Sequence, residues 1–201
     1  MKQDIAAKKS HKKHLLGFLL LLAPILLIGC GGGPKHMIQQ EQRPQIKAKS
    51  DKAVLVIART TSVGFAVTIE NYLDGKLIGQ TKGKCYFITE VAPGQHYVTA
   101  HAENWAVARI NFEAGKIYFL NQGIFMGIWM ARTGFSVMSA EETLKQIAES
   151  GTDYYVYNNQ KPGEDMSADD FKGVKEDFEK EVKEDPGRHK DTLEYKGVSK
   201  I

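Results

Sequence analysis

Apolar positions fall along this chain in three textures. Leu15 to Ile28 is an apolar run without a single charge. Residues 31–52 show no apolar period. From Ala53 the apolar positions come in short blocks cut by turn residues. AVLVIAR (53–59) is apolar and β-branched, which predicts a buried strand. In FAVTIENYLDGKLIG, Phe65, Val67, Ile69 and Leu73 share one face by alternation. Asp74-Gly75 predicts a hairpin turn, because both central residues of a type I′ turn need positive φ, and KLIGQ is the returning strand. CYFITEV (85–91) and HYVTAHA (96–102) flank the turn Ala92-Pro93-Gly94-Gln95, in which Pro presets φ and Gly supplies a positive one. AVARINF (106–112) and KIYFLNQ (116–122) flank Glu113-Ala114-Gly115. GIFMGIWM then leads to FSVM (135–138). Strands this short, with turn signals about every 8–12 residues, predict a mainly β fold, a small antiparallel β-sandwich.

The period changes after the last strand. Ser139-Ala140-Glu141-Glu142 is a capping box, with Ser139 accepting from the third residue's N–H. It predicts a capping helix that ends near Ser150-Gly151. Residues 151–201 carry 13 acidic and 9 basic side chains. DYYVYNNQ (153–160) reads as one more strand or as an aromatic linker. Ser167 is a second N-cap, and Phe171, Val174, Phe178 and Val182 form one helical stripe. A helix is therefore expected near 168–185, ended by Asp185-Pro186-Gly187, its stripe packed on the sandwich or offered to a partner. Residues 188–201 are expected to be disordered. The expected organisation is a signal segment (1–29), a flexible tether (30–52), the sandwich (53–150) and a charged tail (151–201).

Composition agrees with a globular core: 42% of residues are hydrophobic and 25% charged. The formal charge of +3 is misleading, because residues 1–29 hold Lys2, Lys8, Lys9, Lys12 and Lys13 against Asp4 alone. Without them the 27 basic residues fall to 22 and the 24 acidic to 23, a net of −1. No basic footprint remains for phosphate neutralisation, so nucleic acid is not an expected partner.

A lysine-rich start followed by a short apolar run is the order of a secretory signal. As a helix, Leu15 to Ile28 rises only about 21 Å at ~1.5 Å per residue, whereas a bilayer core is ~30 Å thick. Pro24 weakens a continuous span further. Leu27-Ile28-Gly29-Cys30 resembles the lipobox of bacterial lipoproteins. That resemblance implies cleavage between Gly29 and Cys30 and covalent lipid on Cys30, with acyl chains as the contact to the membrane. In enterobacterial-type lipoproteins an aspartate after the cysteine favours inner-membrane retention. Gly31 stands there, which leans toward the outer membrane, facing the periplasm. The Gly-, Gln- and Lys-rich residues that follow suit a tether. An inner-membrane protein with an uncleaved anchor is the competing expectation.

Chemistry-bearing residues are sparse. Cys85 starts a strand on the face of Phe87 and Thr89 and is expected to be a buried small hydrophobe. A Cys85-dependent envelope enzyme is the alternative, which would need a lowered thiol pKa and a nearby base such as His96 or His101. His96 and His101 lie five apart on one strand and so point to opposite faces, and His101 with Glu103 gives two ligands where metal sites use three or four. No catalytic residue, metal site or cofactor is expected beyond the lipid on Cys30. Arg59 and Arg132 flank strands and are expected to be solvated or paired. Glu141-Glu142 and Asp169-Asp170 stand at helix starts, where capping and the macrodipole account for them. GIFMGIWM carries Gly123-x-x-x-Gly127, the spacing of packed membrane helices, but is too short to span, so core burial is expected. If exposed, Phe125, Ile128, Trp129 and Met130 would form a docking patch. The candidate partner-binding residues are Phe125, Trp129, Phe171, Val174 and Phe178, and the candidate partners are an envelope protein or peptidoglycan.

VLVIAR (54–59), YLDGKLIG, CYFITEVAPGQHYVTA (85–100), EAGKIYFL (113–120) and FSVMSAEE together resemble the bacterial domain of unknown function numbered 2846. VAPGQHYVTA is similar also to PEGA-type surface β-domains. The resemblance implies a small antiparallel sandwich, often found in lipoproteins, and no known chemistry.

Overall fold

The computed structural model describes residues 32–126 and 131–201. Its strands are β1 (Met37–Gln40), β2 (Ala53–Arg59), β3 (Thr68–Leu73), β4 (Lys76–Lys82), β5 (Cys85–Val91), β6 (Gly94–His101), β7 (Trp105–Phe112), β8 (Ile117–Met126), β9 (Ala131–Val137) and β10 (Asp153–Tyr157). Helix α1 (Ala140–Glu149) precedes β10. Helix α2 (Ala168–Glu184), a 3-10 turn (Pro186–His189) and the short helix α3 (Lys190–Leu193) follow it. The strands form a six-stranded sheet, β1-β10-β5-β2-β8-β9, and a four-stranded sheet, β4-β3-β6-β7. This is the expected mainly β sandwich with a helix after its last hairpin.

β2 organises both sides of the larger sheet. All seven of its residues are buried, as a strand covered on both faces requires. Leu55 and Ile57 face inward and join Phe87, Val98, Ile110 and Leu120 between the sheets. Val54, Val56 and Ala58 face outward and meet Ile147 of α1. The hairpin turn at Asp74-Gly75 forms with φ of 50° and 84°. Ser139 Oγ accepts the Glu142 N–H at 3.1 Å, so the Ser139 N-cap opens α1 as expected.

Three expectations are corrected. The sheet is not wholly antiparallel: β2 runs parallel to β8 and β10 parallel to β5. Turn signals report only neighbours joined by short loops, whereas each parallel pair closes over a long stretch of chain. The tether does not extend through residue 52. Met37–Gln40 pairs antiparallel with β10, Met37 is buried, and Ile46 is buried against the outer face of the sheet. Isolated apolar residues in a polar context carry no period, and long-range pairing is what orders them.

The tail is the third correction, because it belongs to the fold. The aromatic stretch is strand β10. Ser167 Oγ accepts the Asp170 N–H at 3.0 Å and opens α2. Phe178 is buried in α2, and its ring and that of Phe171 meet Tyr97 edge-on, each at 6.3 Å. Arg109 grips Glu179 through both carboxylate oxygens at 2.8 and 2.7 Å, while the Tyr97 hydroxyl donates to the same carboxylate at 2.7 Å. Residues 188–201 are ordered: Val198 exchanges backbone hydrogen bonds with Ile117 at 2.7 and 2.8 Å, and the Phe119 N–H donates to the Tyr195 hydroxyl at 2.9 Å.

A Phe178→Ala chain should lose about 3 kcal/mol of stability in urea unfolding, the ordinary cost of emptying a buried phenylalanine site. Lys180→Ala, on the exposed face of the same helix, should change it by less than about 0.5 kcal/mol. Equal effects would mean that the tail is not docked.

Candidate functional site

The core of the sandwich changes character at the end where β2 finishes. Arg59 continues the inward face of Leu55 and Ile57 by alternation and is wholly buried. It is neither solvated nor paired with a carboxylate among the described residues, which corrects the sequence expectation. Its Nη1 donates to the Val67 carbonyl at 2.9 Å, and its Nη2 to the carbonyls of Val63 and Gly64 at 2.9 and 2.6 Å. Its Nε has no partner among the described residues. Burial pulls the guanidinium pKa below its ordinary value. Beside it, Gln122 of β8 accepts from the Thr81 hydroxyl of β4 and donates to Asn71 Oδ1 of β3 at 2.8 Å. A buried polar bridge thus joins the two sheets where the apolar core stops.

The loop that Arg59 holds, residues 60–67, presents apolar side chains to solvent. Val63 is 47% exposed and Phe65 69%. Phe65 was expected to share a strand face with Val67, Ile69 and Leu73, but the strand begins only at Thr68, so Phe65 lies in the turn before the alternation starts. Gly64, between them, packs on Ile124: a Cβ there would stand 3.0 Å from the Ile124 side chain. The next residue of β8, Phe125, is 65% exposed, against the expectation of core burial. Its ring lies over Gly123 and Gly134, where a Cβ would meet it at 3.2 and 3.3 Å. Gly123 therefore makes room for an aromatic ring on the sheet surface. Three exposed apolar residues collect at one end of the sandwich, on a loop and a hairpin fixed from inside.

The other candidates separate. Gly29, Cys30 and Trp129, with Ile128 and Met130, lie outside the described residues. Phe171 and Phe178 pack from α2 against the four-stranded sheet, where the chain's own Tyr97 is the partner of both rings, and Val174 of the same stripe is half-buried. For Phe178, which is buried, that packing takes the place of a contact with another molecule. Cys85 is buried in the core cluster, and its Sγ accepts the Lys82 N–H at 3.3 Å. Burial pushes its thiol up to about 11. His96 Nδ1 sits 2.5 Å from Asp74 Oδ2, while His101 stacks on Trp105 with ring centres 4.1 Å apart. Neither histidine is bonded to Cys85. Arg59 and its loop were missed at the sequence level, although one signal was present: alternation from Leu55 and Ile57 leads directly to Arg59.

Comparison with known proteins agrees with the domain expected from the sequence. Residues 49–135 match the family described as "Protein of unknown function (DUF2846)". The span runs from just before β2 into β9 and includes Arg59, its loop and Phe125. An uncharacterized protein of Haemophilus influenzae is 25% identical over 128 residues, which cover 62% of this chain and 76% of that protein. No solved structure matches the chain.

Cys85 should react with iodoacetamide at pH 8 at least ~100-fold more slowly in the folded chain than in urea, since alkylation needs an exposed thiolate. The raised pKa also carries a sign. The native thiol keeps a proton that the unfolded one releases, so its contribution to stability is complete below pH 9 and is lost as the pH rises toward 11. Stability should therefore fall more steeply between these values in the parent than in Cys85→Ala. Equal slopes would contradict the assignment.

Proposed function

We propose that this chain is a lipid-anchored cell-envelope protein whose sandwich is a non-catalytic interaction module, with Val63, Phe65 and Phe125 facing an envelope partner. The observation that carries the anchor is the order of a lysine-rich start, a 14-residue apolar run and Gly29-Cys30. Each buried CH₂ is worth ~0.8 kcal/mol, and one acyl chain alone binds only marginally. Two or three chains on Cys30 would hold the domain at the bilayer. Gly31 favours the outer membrane, facing the periplasm, over the inner membrane.

Support for a binding rather than catalytic role comes from how the domain uses its reactive groups. Cys85 is sealed and protonated, and neither histidine reaches it. Arg59 is engaged with backbone carbonyls. By contrast, aromatic side chains stand exposed on a rigid platform, the usual form of a protein contact. An envelope protein suits that apolar surface better than peptidoglycan, whose sugars and peptides are polar.

The anchor is tested in cells. The parent should yield a mature chain beginning at Cys30, heavier than its sequence by the mass of its acyl groups, and found with membranes. Cys30→Ala should stay unprocessed and lose the lipid mass. An intact Met1 on the parent would support an uncleaved inner-membrane anchor instead, and normal processing of Cys30→Ala would refute the proposal.

A further inference from the structure

The outer face of the six-stranded sheet carries a second feature. Helix α1 and the extended segment Arg43–Ala48 lie side by side over Tyr86 of β5 and Ile117 of β8, with Ile46 and Ile147 in one cluster. Between them lies a cavity of about 650 Å³, bounded on a third side by Ser199–Ile201. That volume is within the range of small-molecule sites, ~300–1,000 Å³. Its accessible apolar lining comes from Ala48 of the segment, Leu144 and Ala148 of α1 and Ile201, above a floor of the buried Ile46, Tyr86, Ile117 and Ile147.

Charge around this cavity is one-sided. Arg43, Lys47 and Lys200 line it, and among the described residues no aspartate or glutamate side chain does. Arg43 is positioned by one bond, from Nη2 to the Thr152 carbonyl at 2.9 Å, which leaves the rest of its guanidinium fork to meet a planar anion. An α-carboxylate on Ile201, where that residue ends the chain, offsets one of the three charges and leaves the site net positive. The neighbouring opening on the far side of the segment differs, because Glu90 lines it and pairs with Lys49.

Apolar walls with a cationic rim fit a molecule that is a hydrocarbon at one end and an anion at the other. We propose that this cavity binds a long-chain fatty carboxylate, its alkyl chain between α1 and the 43–48 segment and its carboxylate among Arg43, Lys47 and Lys200. The site does not depend on lipid at Cys30, since an acyl chain in ester or amide linkage has no free carboxylate.

The test uses the full chain in phosphatidylcholine nanodiscs with a diazirine-bearing palmitate, irradiated and mapped by peptide mass. Adducts are expected within residues 43–48 and 144–148. Unlabelled palmitate should compete, and hexadecanol, with the same chain and no charge, should not. The Lys47→Glu, Lys200→Glu double variant should lower labelling about fivefold, the scale of partly exposed charge interactions. Ala148→Trp should lower it by filling the cavity. All three positions are exposed, so urea unfolding should show an unchanged fold. Adducts centred on Val63, Phe65 or Phe125 would overturn the proposal. So would competition by hexadecanol equal to that of palmitate, or labelling indifferent to charge reversal.

Discussion

A buried guanidinium bonded to three loop carbonyls determines how this sandwich ends. Taking such a charge out of water costs several kcal/mol, and hydrogen bonds to a charged group return about 1.5–3 kcal/mol each. Three of them are of the same order as the penalty. Arg59 therefore adds little net stability. Its effect is on shape: the carbonyls of Val63, Gly64 and Val67 converge on one planar fork. A loop that would otherwise sample many conformations is given one, with Phe65 and Val63 turned outward. The Asn71–Gln122–Thr81 bridge beside it fixes the separation of the two sheets at the same end.

The remaining surfaces follow from what covers each sheet. α1 and Ile46 cover the outer face of the larger sheet, leaving the cationic-rimmed cavity between them. α2 covers the smaller sheet through Phe178 and the Arg109–Glu179 pair. What stays uncovered is the end shaped by Arg59, and it carries Phe65 and Phe125, the most exposed aromatic rings among the described residues. Separation of surfaces is the consequence: the sheet faces are used for packing, and the Arg59 end keeps Val63, Phe65 and Phe125 exposed.

Much of this was legible in the residues. The strand at 53–59, the Asp74-Gly75 hairpin and both Ser-capped helices are local signals, and they formed where local chemistry placed them. What could not be read depended on distant partners. Met37 and Ile46 look like stray apolar residues until β10 and α1 supply the surfaces they pack on. The parallel pairing of β2 with β8 joins segments separated by the whole smaller sheet. Phe65 was misread because an alternating pattern does not report where pairing begins, and pairing begins at Thr68. Arg59 was misread because charge argues for solvent, while its position in the alternation argues for the core. Position prevailed, since the loop carbonyls needed donors.

Amide hydrogen exchange on the parent and on Arg59→Met tests this account most directly. Methionine keeps the length and apolar stem of arginine but leaves the three carbonyls without their donor. The predicted result is a local loss of protection, including the Val67 amide that donates to the Gly64 carbonyl at 2.8 Å, while β2, β5 and β8 remain protected. Unchanged protection across residues 63–67 would show that the loop holds its shape without Arg59 and would contradict the account.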